Sequence, residues 1–276
     1  MKKINIVLIS FLFCLNISAQ GLEDIIVETY YVTDSADALY KGSAALPVNS
    51  VTYRIFVDMK PGYRLQSVYG SPGHEMILST STFFFNHPVF GHYIPNLIMD
   101  RQLGITTLML DSWISMGAGS QQKYALPKQD DDTTGTIANG YEPPILQSEN
   151  AVAGIPIKFR DGLVKKQKPP LVTQLGLDSL LEDLNKISTR GEGFVFSTIN
   201  GGWACVGGAE GCDAEMNRVL IGQFTTNGKF DFEFNIQLGK PGGGVEQYVA
   251  KNPTENEILF PKLKISPPLY NSQKQH

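Results

Sequence analysis

From Phe230 to Leu238 the chain alternates without a break: Phe230, Phe232, Phe234, Ile236 and Leu238 are apolar, and Asp231, Glu233, Asn235 and Gln237 between them are polar. A period of two over nine residues predicts an extended strand with one face in a core and the other in water. Asn227-Gly228 just upstream is a hairpin turn signal, with the apolar run Arg218–Thr226 on its far side as the partner arm. Val51–Asp58 repeats the pattern, with Tyr53, Ile55 and Val57 on one face and Arg54 and Asp58 on the other. Further strands are predicted at Ile25–Val32, Tyr63–Tyr69, Met76–Phe85, Ile105–Leu110, Trp113–Met116 and Gly193–Thr198, with a short hairpin from Ile155 to Val164 and a last strand at Leu263–Ile265. One segment has helical spacing: Leu180, Leu181, Leu184 and Ile187 recur at three and four residues within Asp178–Ile187. An aromatic content of 10%, with 27 Gly and 16 Pro, suits many strands joined by tight turns. The fold class is all-β, an antiparallel sandwich or jelly roll with one short helix near 178–187.

The chain begins Met1-Lys2-Lys3, is apolar from Ile4 to Ile17 and reaches Ser18-Ala19-Gln20. A basic end, a short apolar stretch and a small residue at the cut predict a secretory signal peptide cleaved after Ala19. Cys14 is not a lipid-attachment site on this reading, because bulky Phe13 precedes it and the apolar run continues with Leu15. No later stretch has the roughly 20 apolar residues of a membrane-spanning helix. Gln20–Lys264 is expected to form one β-sandwich domain, with a polar loop at 117–141 and a flexible tail at 265–276. The formal net charge of −4 becomes −6 once Lys2 and Lys3 are removed, and the only basic cluster left is Lys165-Lys166-Gln167-Lys168. Nucleic acid is therefore excluded as a partner class. Export to an oxidising compartment and a spacing of seven residues predict a disulfide between Cys205 and Cys212.

Catalytic patterns are sparse. Of His74, His87, His92 and His276, no two stand at the spacing of a zinc-binding helix, and no G-x-S-x-G elbow is present. Asp130, Asp131 and Asp132 put three hard oxygen donors in one loop, which makes calcium the candidate metal; a solvated acidic loop is the alternative. A glycosidase would need two carboxylates across a cleft, and Asp58, Asp100, Asp111, Glu192, Asp213 and Glu215 are available without any sequence signal pairing them. Of the two tryptophans, Trp113 precedes Ile114 and Met116 and reads as core. Trp203 follows Gly201-Gly202 in a glycine-rich stretch and is the candidate ligand-binding residue, with burial in the core as the alternative.

Five elements in order, Thr52-Tyr53-Arg54, Ser67-Val68-Tyr69-Gly70, Asp111-Ser112-Trp113 with Gly117, Gly202-Trp203 and Val219–Thr226, resemble those of a family of exported bacterial β-rich modules. Members of that family occur in large surface proteins and as stand-alone copies. The resemblance covers about Val51 to Leu238 and implies architecture and export. It transfers no catalytic residue, because the family has no established activity. The functional expectation is a non-catalytic exported module, periplasmic or at the cell surface, that binds an envelope protein or a glycan. A secreted hydrolase using a carboxylate pair and a structural subunit of a surface assembly are the alternatives.

Overall fold

The computed structural model describes residues 20–38, 45–104, 107–137, 146, 148–165, 168–185 and 193–268. The predicted leader, Met1–Ala19, and residues 269–276 of the predicted tail lie outside these. Among the described residues the architecture is all-β and antiparallel, apart from the parallel pairing of Val245–Val249 with Glu257–Leu259, with three short helices at Ser35–Ala38 (α1), Asp100–Leu103 (α2) and Asp178–Asn185 (α3).

The first layer is a four-stranded sheet. Its order is β1 (Leu22–Val32), β2 (Val51–Met59), β11 (Arg218–Thr226) and β5 (Trp113–Ile114), with strands numbered along the chain. The second layer has two parts. One is a six-stranded sheet, β15 (Glu257–Leu259), β14 (Val245–Val249), β13 (Asn235–Gly239), β3 (Arg64–Tyr69), β10 (Gly202–Ala209) and β8 (Thr173–Leu175). The other is a four-stranded sheet, β16 (Lys264–Ile265), β12 (Phe230–Glu233), β4 (Met76–Thr80) and β9 (Phe194–Thr198). Three chain segments run from one part into the other: β3 into β4, β9 into β10, and β12 into β13. The strand order is the same on both sides, so the two parts form one layer bent across its middle. The alternating segment that opens the sequence argument thus enters both parts, hinging at Phe234. Tyr124–Ala125 (β6) and Leu163–Val164 (β7) pair as a separate two-stranded antiparallel sheet; the hairpin expected within Ile155–Val164 does not form, because Leu163–Val164 takes its partner from the distant Tyr124–Ala125.

The main core lies between the layers. Tyr53, Ile55 and Val57 from β2 meet Phe230, Phe232, Phe234, Ile236 and Leu238, all 5% exposed or less. The aromatic residues touch directly: Tyr53 stacks on Phe230 at 5.1 Å and Phe232 on Phe234 at 4.8 Å. Helix α3 adds Leu180, Leu181 and Leu184 to this core, as its spacing predicts; Ile187, the fourth residue of that pattern, lies outside the described residues.

The first layer is buried on its other face too. A second cluster, including Phe56, Leu108, Trp113 and Leu220, fills the space beneath the excursion between β4 and β8. Of the expected strand at Ile105–Leu110, residues 105 and 106 lie outside the described residues and Thr107–Leu110 is a 3₁₀ turn. A fully buried apolar run carries no periodicity that separates strand from turn. The stretch 117–141, expected as a polar surface loop, has Gly117–Ser120 and Tyr124–Lys128 largely in the interior, and residues 138–141 lie outside the described residues.

Irregular chain placed over a sheet must find partners for its carbonyls and amides, and this face of the sheet supplies them. Gln223 Nε2 donates to the Met109 and Asp111 carbonyls at 2.9 and 2.7 Å, and the Thr225 amide donates to Ser112 Oγ at 2.9 Å. Arg54, 1% exposed, donates from Nε to Gln223 Oε1 at 2.8 Å and from Nη1 to the Asp161 and Gly162 carbonyls at 3.3 Å, and lies 3.5 Å over the Tyr30 ring. Lys128 Nζ donates to the Tyr30 and Ala153 carbonyls, both at 2.6 Å. Burial pulls its ammonium down to about 8, against the opposing pull of Glu28.

Candidate functional site

Among the described residues, an open trough of about 510 Å³ lies on the outer face of the six-stranded sheet. Its origin is a register pattern. On β10, Gly202 stands between Tyr69 of β3 and Leu175 of β8, and Ala204 stands between Ser67 and Thr173. The intervening row, Val68 and Trp203, is 0% and 1% exposed and belongs to the core. The Gly202 and Ala204 rows therefore face outward. A middle strand with almost no side chain, flanked by strands with larger ones, leaves a channel. Adjacent strands lie about 4.8 Å apart, so the walls stand roughly 9.5 Å apart between backbones, wide enough for one extended chain. Gly202 also has to be glycine for the backbone's sake: a Cβ there would come within 2.5 Å of the Val68 carbonyl oxygen.

One end of the trough is closed by the bend in the layer. There Gly70 donates its amide to the Gly201 carbonyl at 2.8 Å, and a Cβ on Gly70 would lie 2.1 Å from the Thr198 carbonyl oxygen. Ser71, Pro72, Ile199 and Asn200 form this closed end. At the other end β10 leaves the ladder: Ala204 pairs with Ser67 and Ala209 with Leu65, so Cys205–Gly208 bulge outward opposite a single residue. Val206, at the tip, is 90% exposed.

The lining is uncharged. Ser67, Ser71, Thr173 and Asn200 supply hydroxyl and amide groups, and Leu175 and Ile199 supply exposed apolar surface. Tyr69 is the only titratable residue in the lining. Its phenol is pushed up to about 12, first by burial and then by the Glu257 carboxylate, so it stays neutral.

Trp203 contributes to the trough floor through its backbone alone. Its ring faces the core, edge-on to Phe234 at 5.6 Å, and Nε1 donates to the Ser115 carbonyl at 3.0 Å. The expectation of a ligand-facing ring on a loop is thus corrected: Trp203 sits mid-strand, and the alternation of β10 turns it inward. The predicted disulfide is also corrected, since no bond joins Cys205 and Cys212. Cys205 begins the bulge and its thiol is pushed up by burial.

The three calcium candidates diverge, because each is claimed by a different partner. Asp130 Oδ2 pairs with Arg218 Nη1 at 2.7 Å, Asp131 Oδ2 accepts the Gly162 amide at 2.8 Å, and Asp132 Oδ1 accepts the Thr134 amide at 2.9 Å. No group of three metal-binding side chains converges among the described residues. The carboxylates considered for hydrolysis are similarly scattered. Asp58 pairs with Arg218 at 3.0 Å, Asp100 accepts from the Ser120 hydroxyl, and Asp213 accepts the Glu215 amide at 2.9 Å. Asp111 is wholly buried, accepting the His87 amide at 2.7 Å; burial pushes its carboxyl well above the ordinary range, against the backbone amides of His87 and His92. Glu192 lies outside the described residues. His74, 5% exposed, pairs through Nε2 with Glu257 at 2.9 Å behind the Tyr69 wall.

Sequence reasoning missed Ser67, Thr173, Leu175 and Ala204 as site residues. The available signal was GGWACVGG itself, in which small residues alternate around one large ring, the pattern of a strand whose outer face is empty. No helix among the described residues is long and apolar enough to cross a membrane. Comparison with family models, curated proteins and solved structures finds no match to this chain.

Proposed function

We propose that this protein is an exported, non-catalytic carbohydrate-binding module that holds an uncharged glycan in the trough between β3 and β8. The observation that carries the reading is the lining: hydroxyls, amides and exposed aliphatic side chains around a floor of glycine and alanine, with no charged group. Sugars present that same mixture of hydroxyls and apolar ring faces, and pockets that bind neutral ligands pair apolar walls with a few polar groups that fix orientation. Hydrolysis of a glycosidic bond needs two carboxylates facing across the substrate, whereas the trough walls carry Ser67 and Tyr69 opposite Thr173 and Leu175. The signal peptide expected at Met1–Ala19 and the resemblance to exported surface modules support a setting where glycans are met.

Calorimetric titration against neutral and acidic polysaccharides tests the reading. A neutral polysaccharide should bind, and Ala204→Trp, which fills the trough from its floor, should weaken that binding at least tenfold while leaving the urea midpoint in place. Equal binding by Ala204→Trp, or no binding to any neutral polysaccharide at millimolar concentration, would sink it.

A further inference from the structure

A row of outward side chains crosses the trough at Ala204 and continues over the sheet beyond its Ser67 wall, and we infer that the ligand is a linear, neutral polysaccharide that enters the trough there and lies across the strands of the six-stranded sheet. This rests on the binding reading and adds the shape, direction and length of what is bound. Thr173, Ala204, Ser67, Gln237, Gln247 and Glu257 are consecutive register partners through β8, β10, β3, β13, β14 and β15. Their neighbours on the other face, Trp203, Val68, Ile236 and Tyr248, are 1% exposed or less, so this row points outward on β10, β3, β13 and β14; at the β15 edge the Glu257 side chain is 11% exposed. Six strands at about 4.8 Å spacing make it roughly 24 Å long.

All members but Ala204 can hydrogen-bond, and the sole charge is at the far edge, where Glu257 is engaged by His74 Nε2 at 2.9 Å. Gln237 Nε2 donates to Gln66 Oε1 at 2.6 Å, and Gln247 Nε2 reaches Gln237 Oε1 at 3.4 Å. A primary amide has two donors and two acceptor lone pairs, so these contacts use less than the amides offer. Gln66 lies flat over Gly239, where an added Cβ would meet its Nε2 at 2.6 Å. The result is a level, amide-paved surface continuous with the trough across Ser67, the smallest wall residue.

Periodicity selects the ligand. An extended glycan repeats about every 5 Å, close to the strand spacing of about 4.8 Å. Each sugar crossing the sheet would therefore meet one strand and one side chain of the row. An extended peptide advances about 3.3 Å per residue and would fall out of step within two strands. The neutral row gives an anionic polymer no counter-charge.

Affinity measured for neutral linear oligosaccharides (β-linked glucose, mannose and xylose series) from two to seven units tests this. Affinity should climb to about five units, one for each strand from β8 to β14, and then level off. Gln237→Ala with Gln247→Ala, checked for an unchanged urea midpoint, should shrink the hexamer's advantage over the dimer at least fivefold. A hexamer binding no tighter than the dimer, or an advantage untouched by the double substitution, overturns the cross-strand inference while leaving the trough reading intact. Failure of every oligosaccharide to bind overturns both.

Discussion

Trp203→Phe separates a structural role for this ring from a ligand-binding one. The indole crosses the core, from β10 in one layer to the residue following β5 in the other, and its Nε1 donates to the Ser115 carbonyl at 3.0 Å. Ser115 is 0% exposed, so phenylalanine leaves a buried acceptor short of a donor, a loss of about 1–3 kcal/mol. The smaller ring also leaves a void of a few tens of Å³, which at about 24 cal/mol per Å³ adds roughly 1 kcal/mol. The expected destabilisation is therefore about 2–4 kcal/mol. Urea unfolding at pH 7 should show a lower midpoint with an unchanged slope, since the surface exposed on unfolding is the same. The emission of wild-type Trp203 should be that of a buried indole, unaffected by soluble glycan. A loss below about 0.5 kcal/mol, or ligand-dependent quenching assigned to Trp203, would refute the assignment of the ring to the core.

Other outcomes follow from the buried polar layer and the bulge. Glu28 sits opposite Arg54, and burial pushes its carboxyl up, against the coulombic pull of Arg54. Glu28→Gln should change the unfolding free energy from urea titration at pH 7 by less than about 1 kcal/mol, whereas Lys128→Met, which strips the Tyr30 and Ala153 carbonyls of their donor, should cost about 3 kcal/mol; reversed magnitudes would show that the layer is held differently. Asp161 is raised to about 6 by burial first, against the Ile137 amide. Because its folded value lies above the ordinary 3.8, its contribution is complete below about pH 4 and is lost as pH rises through 6. Asp161→Asn should abolish up to about 3 kcal/mol of that decline, read as urea midpoints between pH 4 and 7; an unchanged profile would place the titration elsewhere. Cys205 and Cys212 should both take up iodoacetamide without prior reduction, Cys205 slowly at pH 7 and faster at pH 9; protection of both until a reductant is added would show a disulfide.

Strands with one wet face were legible in the sequence because solvent imposes the period of two. β11 matches its expected bounds, and the faces of β2 divide as Tyr53, Ile55 and Val57 against Arg54. β10 was not legible: its outer residues are small because they floor a channel, and its only large side chain points inward, so the text reads as a glycine loop. The buried lysine at 128 was hidden for another reason. Its polar neighbours imply a surface loop, and only the tertiary need to satisfy the Tyr30 and Ala153 carbonyls draws it inside. The trough was indicated only as the neighbourhood of Gly201-Gly202-Trp203. Its walls come from β3 and β8, about 100 residues apart, and no local pattern joins segments so distant.

The double-sided burial of the first layer has a consequence for how the molecule comes apart. The sheet separates one apolar core from a second compartment whose floor mixes Tyr30, Phe56 and Leu220 with Thr52, Arg54, Gln223 and Thr225. If the chain between β4 and β8 lifts away while the sandwich stays shut, water can take over the hydroxyls, the amide and the guanidinium at once, but the rings and leucines on both sides of the opening are left bare. That is the greasy surface that draws partly unfolded chains together. Amides under the cover should exchange with solvent before those of the sandwich, and aggregation should set in with that opening rather than with global unfolding.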